Sequence, residues 1–252
     1  MRVSVINQKG GVGKSTTTAN LAVVLARDLR LRVLVLDWDA QGNASAFLGL
    51  PAAPAWGTTD FFMTPDAGFH PVRDVLVEGL DVIPGKPDFA LVERQLLGDL
   101  LAGPRRLRRA VDRYASNYDV VLTDCGPTLG MLAINSVVAC PDVLEPIELA
   151  HAAALGALTL QRFLSEAQGN LEASIRILGV LPTFLDDRER TPREVLGDLA
   201  RIFGAALFET AIHTAANVRD AGGQGRPVVL TDPNSRGAHE YRALAQEVVA
   251  RG

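Results

Sequence analysis

The segment Lys9-Gly10-Gly11-Val12-Gly13-Lys14-Ser15-Thr16 constrains this chain more than any other. It follows a short apolar run and precedes a stretch with helical spacing, so it reads as the bend between a strand and a helix. Gly10, Gly11 and Gly13 let the backbone turn several N–H groups onto one point, and the helix that follows adds about half a positive charge there. Such a loop holds phosphate. Against the pattern G-x-x-x-x-G-K-[ST] it matches at Gly13, Lys14 and Ser15, with Gln8 where the first glycine belongs. Residues Lys9 to Thr16 would then line a bound nucleotide, Lys14 reaching its β- and γ-phosphates and the Ser15 hydroxyl binding Mg²⁺. A serine-capped, glycine-rich turn without ligand would use the same residue types, but the order strand, loop, helix favours phosphate.

Short β-branched runs alternate with longer helical patterns along the rest of the chain. Strands are expected over residues 3–6, 32–37, 80–84, 119–124, 143–147 and 177–181. Helices are expected over 15–27, 89–101, 104–114, 152–167, 192–203 and 238–251, with Pro104 and Pro192 suited to first-turn positions. Segments 51–57 and 64–71 read as surface loops. Several strands are apolar on both faces, as parallel strands covered by helices on each side must be. The alternation predicts an α/β fold, a doubly wound, mostly parallel sheet with helices on both faces, and one domain over residues 1–252.

The carboxylates follow from this layout. Asp37 and Asp39 leave the end of the second strand, where open α/β sheets bind ligands. A pair two residues apart can serve a metal-bound water and an attacking water separately. Read alone, a capping aspartate beside a solvated one would give the same pattern. Asp124 ends another apolar strand, the expected place for a carboxylate that holds Mg²⁺ through water.

Lys9 lies outside the ordinary phosphate motif, and an ammonium five residues before Lys14 cannot easily share its contact. Here the sequence resembles the deviant Walker A ATPases, P-loop NTPases whose K-G-G-x-G-K-[ST] loop carries a signature lysine. The resemblance implies that Lys9 reaches across an ATP-dependent homodimer to the partner's nucleotide. Residues 37–43 resemble the family's D-x-D-P-Q-G-N, with Ala40 in place of the proline. By that resemblance Asp39 positions the nucleophilic water and Asp37 supports the metal shell. Asp124-Cys125-Gly126-Pro127 stands where the family has D-x-P-P, and Gly126 loosens that turn.

The likeness runs almost end to end. Residues 182–186 resemble the family's V-T-M-Y-D near the base, which brings Thr183 and Asp186 into the ATP site. Ser235-Arg236-Gly237-Ala238 and Tyr241 to Ala245 resemble the C-terminal S-x-G-A and Y-x-x-L-A of the ParA/Soj chromosome and plasmid partition ATPases. That family implies a slow Mg²⁺-dependent ATP hydrolase, stimulated by a centromere-binding ParB-like protein, which binds nonspecific double-stranded DNA as a dimer. Its expected location is cytoplasmic and nucleoid-associated. Two motif arginines of the family are Thr214 and Asn217 here, so Arg219 and Arg226 stand as replacements. Arg188, Arg193 and Arg201 lie where the family's dimer presents its DNA surface. The glutamate of the family's Q-x-E is absent from Glu148-Leu149-Ala150.

Composition narrows the rivals. With 48% hydrophobic and 21% charged residues the chain is not predominantly disordered. A net charge of −4 argues against coating nucleic acid through bulk charge, so any DNA contact is a local patch. The arginines of residues 105–113 read more simply as a solvated face. Cys125 and Cys140 form neither a disulfide framework nor a metal site, and the four histidines lack ligand spacing. No apolar stretch reaches the ~18 residues of a membrane span. Two alternatives stay open: a nucleotide-binding switch or scaffold with little turnover, suggested by Ala40, Gly126 and the missing arginines, and a membrane-cycling cell-division ATPase relative. The second would need a lysine-rich amphipathic C-terminal helix, and no membrane contact is expected.

Overall fold

The computed structural model describes residues 1–64, 68, 70–96, 103–150, 153–171, 173–186, 188 and 191–252, with 93–95 and 191–193 described by backbone alone. Seven strands form one sheet in the order β3-β2-β4-β1-β5-β6-β7. They are β1 (Arg2–Val5), β2 (Val33–Trp38), β3 (Leu80–Ile83), β4 (Val120–Cys125), β5 (Asp142–Glu148), β6 (Arg176–Leu185) and β7 (Ile212–His213). Every pairing between named strands is parallel, so all their C-terminal ends lie along one edge. The chain leaves β1 toward β2 and leaves the adjacent β5 toward β6, in opposite directions across the sheet. Such divergence opens a crevice at the strand ends.

Strand alternation assigns the two faces. Val33 and Val35 join Val3, Val5 and Leu122 in one apolar cluster, together with helices α1 (Lys14–Arg27) and α11 (Arg236–Arg251). Leu34, Leu36 and Trp38 point the other way. They meet α3 (Thr58–Met63), α4 (Phe89–Leu96), α5 (Arg106–Tyr114) and α6 (Met131–Ala139). Continuing the period of two places Asp37 on the α1 face with Val35, and Asp124 on the same face with Leu122. The two carboxylates are register partners on adjacent strands.

Each of the six predicted strands forms, with bounds shifted by a few residues. The predicted helix over 89–101 is described only to Leu96, and the start at 152 of the next predicted helix also lies outside the described residues; that helix is α7 (Ala153–Leu171). Helix α8 (Thr191–Phe203) carries Pro192 in its first turn. Sequence patterning missed α2 (Asn43–Phe47), α6, β7, α9 (Ala216–Gly223) and α10 (Val228–Thr231), as well as α3. Most are one or two turns long. Helix α6 is longer, but MLAINSVVA has no polar face to give it periodicity, because it is buried against both the sheet and α5.

Trp38 fixes the end of β2 between the two aspartates. Its ring makes edge contacts with Phe62 at 5.3 Å and Phe89 at 4.5 Å, and its indole N–H donates to the Leu132 carbonyl at 2.9 Å. Trp38→Ala is expected to lower unfolding free energy by about 3–5 kcal/mol, because it leaves a cavity and an unpaired carbonyl. Urea titration measures this, and a loss below about 1 kcal/mol would refute the anchoring role.

Candidate functional site

The loop between β1 and α1 is bent by Gly11 and Gly13, both left-handed at φ 77° and 89°. Such angles admit glycine far more readily than other residues. Gly13 caps α1 without any side-chain hydrogen bond, so no capping side chain covers the helix's first N–H groups. A Cβ on Gly10 or Gly11 would meet nothing within 4 Å, so the loop stands open toward that side. Thr183 of β6 holds the loop from behind, its hydroxyl donating to the Val12 carbonyl at 3.0 Å.

A buried polar relay shapes the loop's start. Asn7 donates to the Glu145 carboxyl at 3.3 Å and to the Pro146 carbonyl at 2.9 Å, and its own carbonyl accepts the Lys9 N–H at 2.9 Å. Lys14 turns back over the loop and donates to the Lys9 carbonyl at 3.0 Å. Burial pulls the Lys14 ammonium below its ordinary pKa, against the attraction of Asp124. Lys9 instead leans away from Lys14 and forms an ion pair with Glu148 at the end of β5. Both partners are substantially exposed, so this pair contributes little stability.

Beneath the loop, Ser15 donates to Asp124 at 2.6 Å, and the Thr18 hydroxyl lies 2.9 Å from the other oxygen of that carboxyl. Asp37 accepts from the Ser45 N–H at 2.7 Å and the Ser45 hydroxyl at 2.5 Å, both on Oδ2. Its Oδ1 is buried without a hydrogen-bond partner. Both carboxyls are completely buried, and burial pushes both above the usual carboxylate range. Mutual repulsion adds to the rise at Asp37, so the pair favours holding a proton or gaining a cation. Asp39 stands just beyond the strand, half-buried, and accepts the Gln41 N–H at 3.0 Å.

These residues fit a nucleotide with Mg²⁺. The donors are hard oxygens, one is unpaired, and glycine-bent backbone stands beside them. No three His, Cys, Asp or Glu side chains among the described residues could hold a metal by themselves. A cation here would therefore complete its shell with phosphate and water.

Two adjoining cavities share Gly13, Thr16, Phe47 and Phe184. One, of about 340 Å³, is lined by Gly10, Gly11, Lys14, Ser15 and Asp39. The other, of about 280 Å³, is mostly apolar and lined by Thr183, Ile212, Val218 and Arg219. The first suits phosphates and the second a flat base. Asp186 lines neither cavity. Its carboxylate is bound by Arg188, with contacts of 2.9 and 2.6 Å, and is held below its usual pKa by that guanidinium.

The arginines proposed for DNA are scattered in role. Arg201 pairs with Asp198 at 2.7 Å on α8, Arg219 borders the apolar cavity, and Arg226 is exposed after α9. The side chain of Arg193 lies outside the described set. Sequence reasoning missed Asn7, Thr18, Ser45, Phe47, Phe184 and Glu145. Only Glu145 left a signal, as the one acid inside an otherwise apolar strand run.

A family model described as an AAA domain matches residues 1–177. The chain is 36% identical to the sporulation initiation inhibitor protein Soj of Bacillus subtilis, across 99% of this chain and 98% of that protein. It is also 36% identical to the chromosome partitioning protein ParA of Caulobacter vibrioides, across 99% and 94%. Among solved structures, cobyrinic acid a,c-diamide synthase from Mycobacterium smegmatis with bound ADP and magnesium superposes with a TM-score of 0.81. It shares 30% identity, covering 97% of this chain and 92% of that one.

Burial alone pushes the Glu145 carboxyl up to about 8. The folded chain thus keeps a proton that the unfolded chain has lost, and the resulting stability declines as pH rises from the ordinary carboxylate range through 8. Glu145→Gln should match the wild type at about pH 5 and exceed it at about pH 9. Urea unfolding at both values tests this, and parallel pH profiles would contradict it.

Proposed function

Since the chain belongs to the ParA/Soj family of partitioning ATPases, we propose that it is a Mg²⁺-dependent ATP hydrolase that dimerises around two ATP molecules and binds DNA nonspecifically. The observation carrying this reading is the convergence of Ser15, Thr18 and Asp124 directly below an open glycine loop. The loop N–H groups and Lys14 take the β- and γ-phosphates, and the apolar cavity beside Phe184 and Thr183 takes the base. Ser15 and Asp124 are the metal-side ligands, with Asp37 behind them. Bound Mg²⁺ neutralises charge on the phosphate oxygens. Asp39, at the rim of the phosphate cavity, orients the attacking water and accepts its proton. Lys9, exchanging Glu148 for the partner's nucleotide, stabilises charge developing there.

We assign the DNA surface to Arg188, Arg193, Arg201, Arg219 and Arg226, and stimulation of turnover to a ParB-like centromere-binding protein. The carboxylates that bind Arg188 and Arg201 dilute the surface, which makes DNA affinity weak for a monomer and dependent on dimerisation. The protein's expected place is the cytoplasm, on the nucleoid. Among the described residues no helix is long and apolar enough to cross a membrane.

Saturating ATP with Mg²⁺ should stabilise the fold by about 2.7 kcal/mol at a hundred times its dissociation constant. Lys14→Ala should abolish the shift, and Asp39→Ala should keep it while losing steady-state phosphate release. If phosphate release in the wild type never exceeds that of Asp39→Ala, with or without DNA, the chain is a switch rather than a hydrolase. DNA retention should require ATP and fall with salt at a log–log slope of about −0.9 per phosphate contacted. A gel shift with ATP, ADP and no nucleotide reads this out, and equal retention by Lys9→Ala would contradict the dimer clamp.

A further inference from the structure

The turn at residues 84–87 joins β3 to α4, and nothing in the chemistry above uses it. It nonetheless packs against the Asp37 carboxyl group and the backbone of Asp39 at the end of β2. A Cβ on Gly85 would lie 2.7 Å from the Asp39 carbonyl oxygen, 3.0 Å from Gly42 Cα and 3.1 Å from Asp37 Cγ. Two of those neighbours are backbone and cannot swing aside. The Gly85 N–H also donates to the Ser45 hydroxyl at 3.0 Å, and that hydroxyl donates to Asp37 Oδ2 at 2.5 Å. This relay commits one oxygen of Asp37 and leaves the other unpaired.

Lys86 fixes the turn that carries Gly85. Its ammonium donates to Asp60 at 2.9 Å, with Asp88 at 3.8 Å, and its side chain is only 16% exposed. The same Asp60 oxygen accepts the Gly57 N–H at the start of α3. The Pro84 carbonyl accepts the Thr58 N–H at 2.9 Å. Gly57 is packed so closely that a Cβ there would meet the Pro84 carbonyl at 2.4 Å and the Lys86 stem at 2.8 Å. The turn is thus wedged between α3 and the end of β2, with Asp37 on the strand and Asp39 just beyond it.

We propose that the 84–87 turn positions the end of β2 behind the metal site, Gly85 setting the seat of the Asp37 carboxyl and of the Asp39 backbone and Lys86 locking that seat against α3. Lys86 and Gly85 are positioning residues: neither touches a reacting atom, and both act through Ser45 and the backbone of residue 39. The inference rests on the nucleotide–metal reading of the site. Groups that orient metal ligands from behind typically change metal affinity by about 10–100-fold when removed. General damage to the fold would instead weaken nucleotide binding with and without metal alike.

The test compares wild type with Gly85→Ala, Lys86→Met and Lys86→Arg. Mn²⁺ affinity of the ATP-loaded protein is read by electron paramagnetic resonance, and affinity for a fluorescent ADP is read in EDTA. Gly85→Ala and Lys86→Met should weaken Mn²⁺ binding roughly tenfold or more while leaving ADP affinity in EDTA unchanged, and Lys86→Arg should restore it. Lys86→Met keeps the apolar stem against Gly57, so the test stands even where Gly85→Ala does not fold. Wild-type Mn²⁺ affinity in Lys86→Met, or an equal loss of ADP affinity in EDTA, overturns the proposal alone. Absence of any metal binding by ATP-loaded wild type overturns the reading of the site, and this inference with it.

Discussion

Two carboxyl groups, Asp37 and Asp124, stand opposite one another on adjacent parallel strands, both at zero accessibility. In a low-dielectric interior two such groups cannot both be ionised unless positive charge is supplied. The neighbouring groups answer that requirement. Ser15 and Thr18 address Asp124, Ser45 addresses Asp37, and Lys14 sits close enough for Asp124 to support its ammonium. What they provide is partial, since one Asp37 oxygen keeps no partner. The pair is therefore short of positive charge, a lack that a cation with phosphate would make good.

The sheet makes this crowding possible. Parallel strands end along one edge, so a loop after β1, a carboxylate on β2 and another on β4 are brought together although they are far apart in sequence. The period of two does the rest: Asp37 and Asp124 share a face with α1, whose first turns carry Ser15 and Thr18. Opposite departures of the chain after β1 and β5 keep the crevice open beside Lys9 and Glu148.

Much of this was legible in the sequence because it is local. The glycine loop, the strand ending at Asp124 and the carboxylates after β2 each declare themselves within a few residues. What was not legible depends on distant partners. Glu148 is the cis partner of Lys9 across 139 positions, Thr18 reaches Asp124 across 106, and Gly85 meets Ser45 across 40. Helix α6 escaped for a different reason, since burial on several sides erased the periodicity that announces a helix. Asp186, expected at the nucleotide, is bound instead by Arg188, an arginine that the family resemblance places on the DNA surface.

The chain's three lysines now divide by mechanism, in a protein that otherwise uses arginine for positive charge. Lys14 is folded back over the glycine loop and ends on the Lys9 carbonyl, a place that suits a compact ammonium on a thin stem. Lys9 is an exposed point charge paired with Glu148. Lys86 is buried along its stem under Gly57 and ends on Asp60, so its value lies in reach and thinness as much as in charge. Gly126 follows the same logic of space. A Cβ there would stand 3.4 Å from the Asp39 carboxyl, so its absence leaves space beside that side chain. Asp39 thus has a glycine on each side, Gly85 close to its backbone carbonyl and Gly126 beside its carboxyl. Glycine at these two places leaves space around it, whereas the family's motif has prolines at 40 and 126.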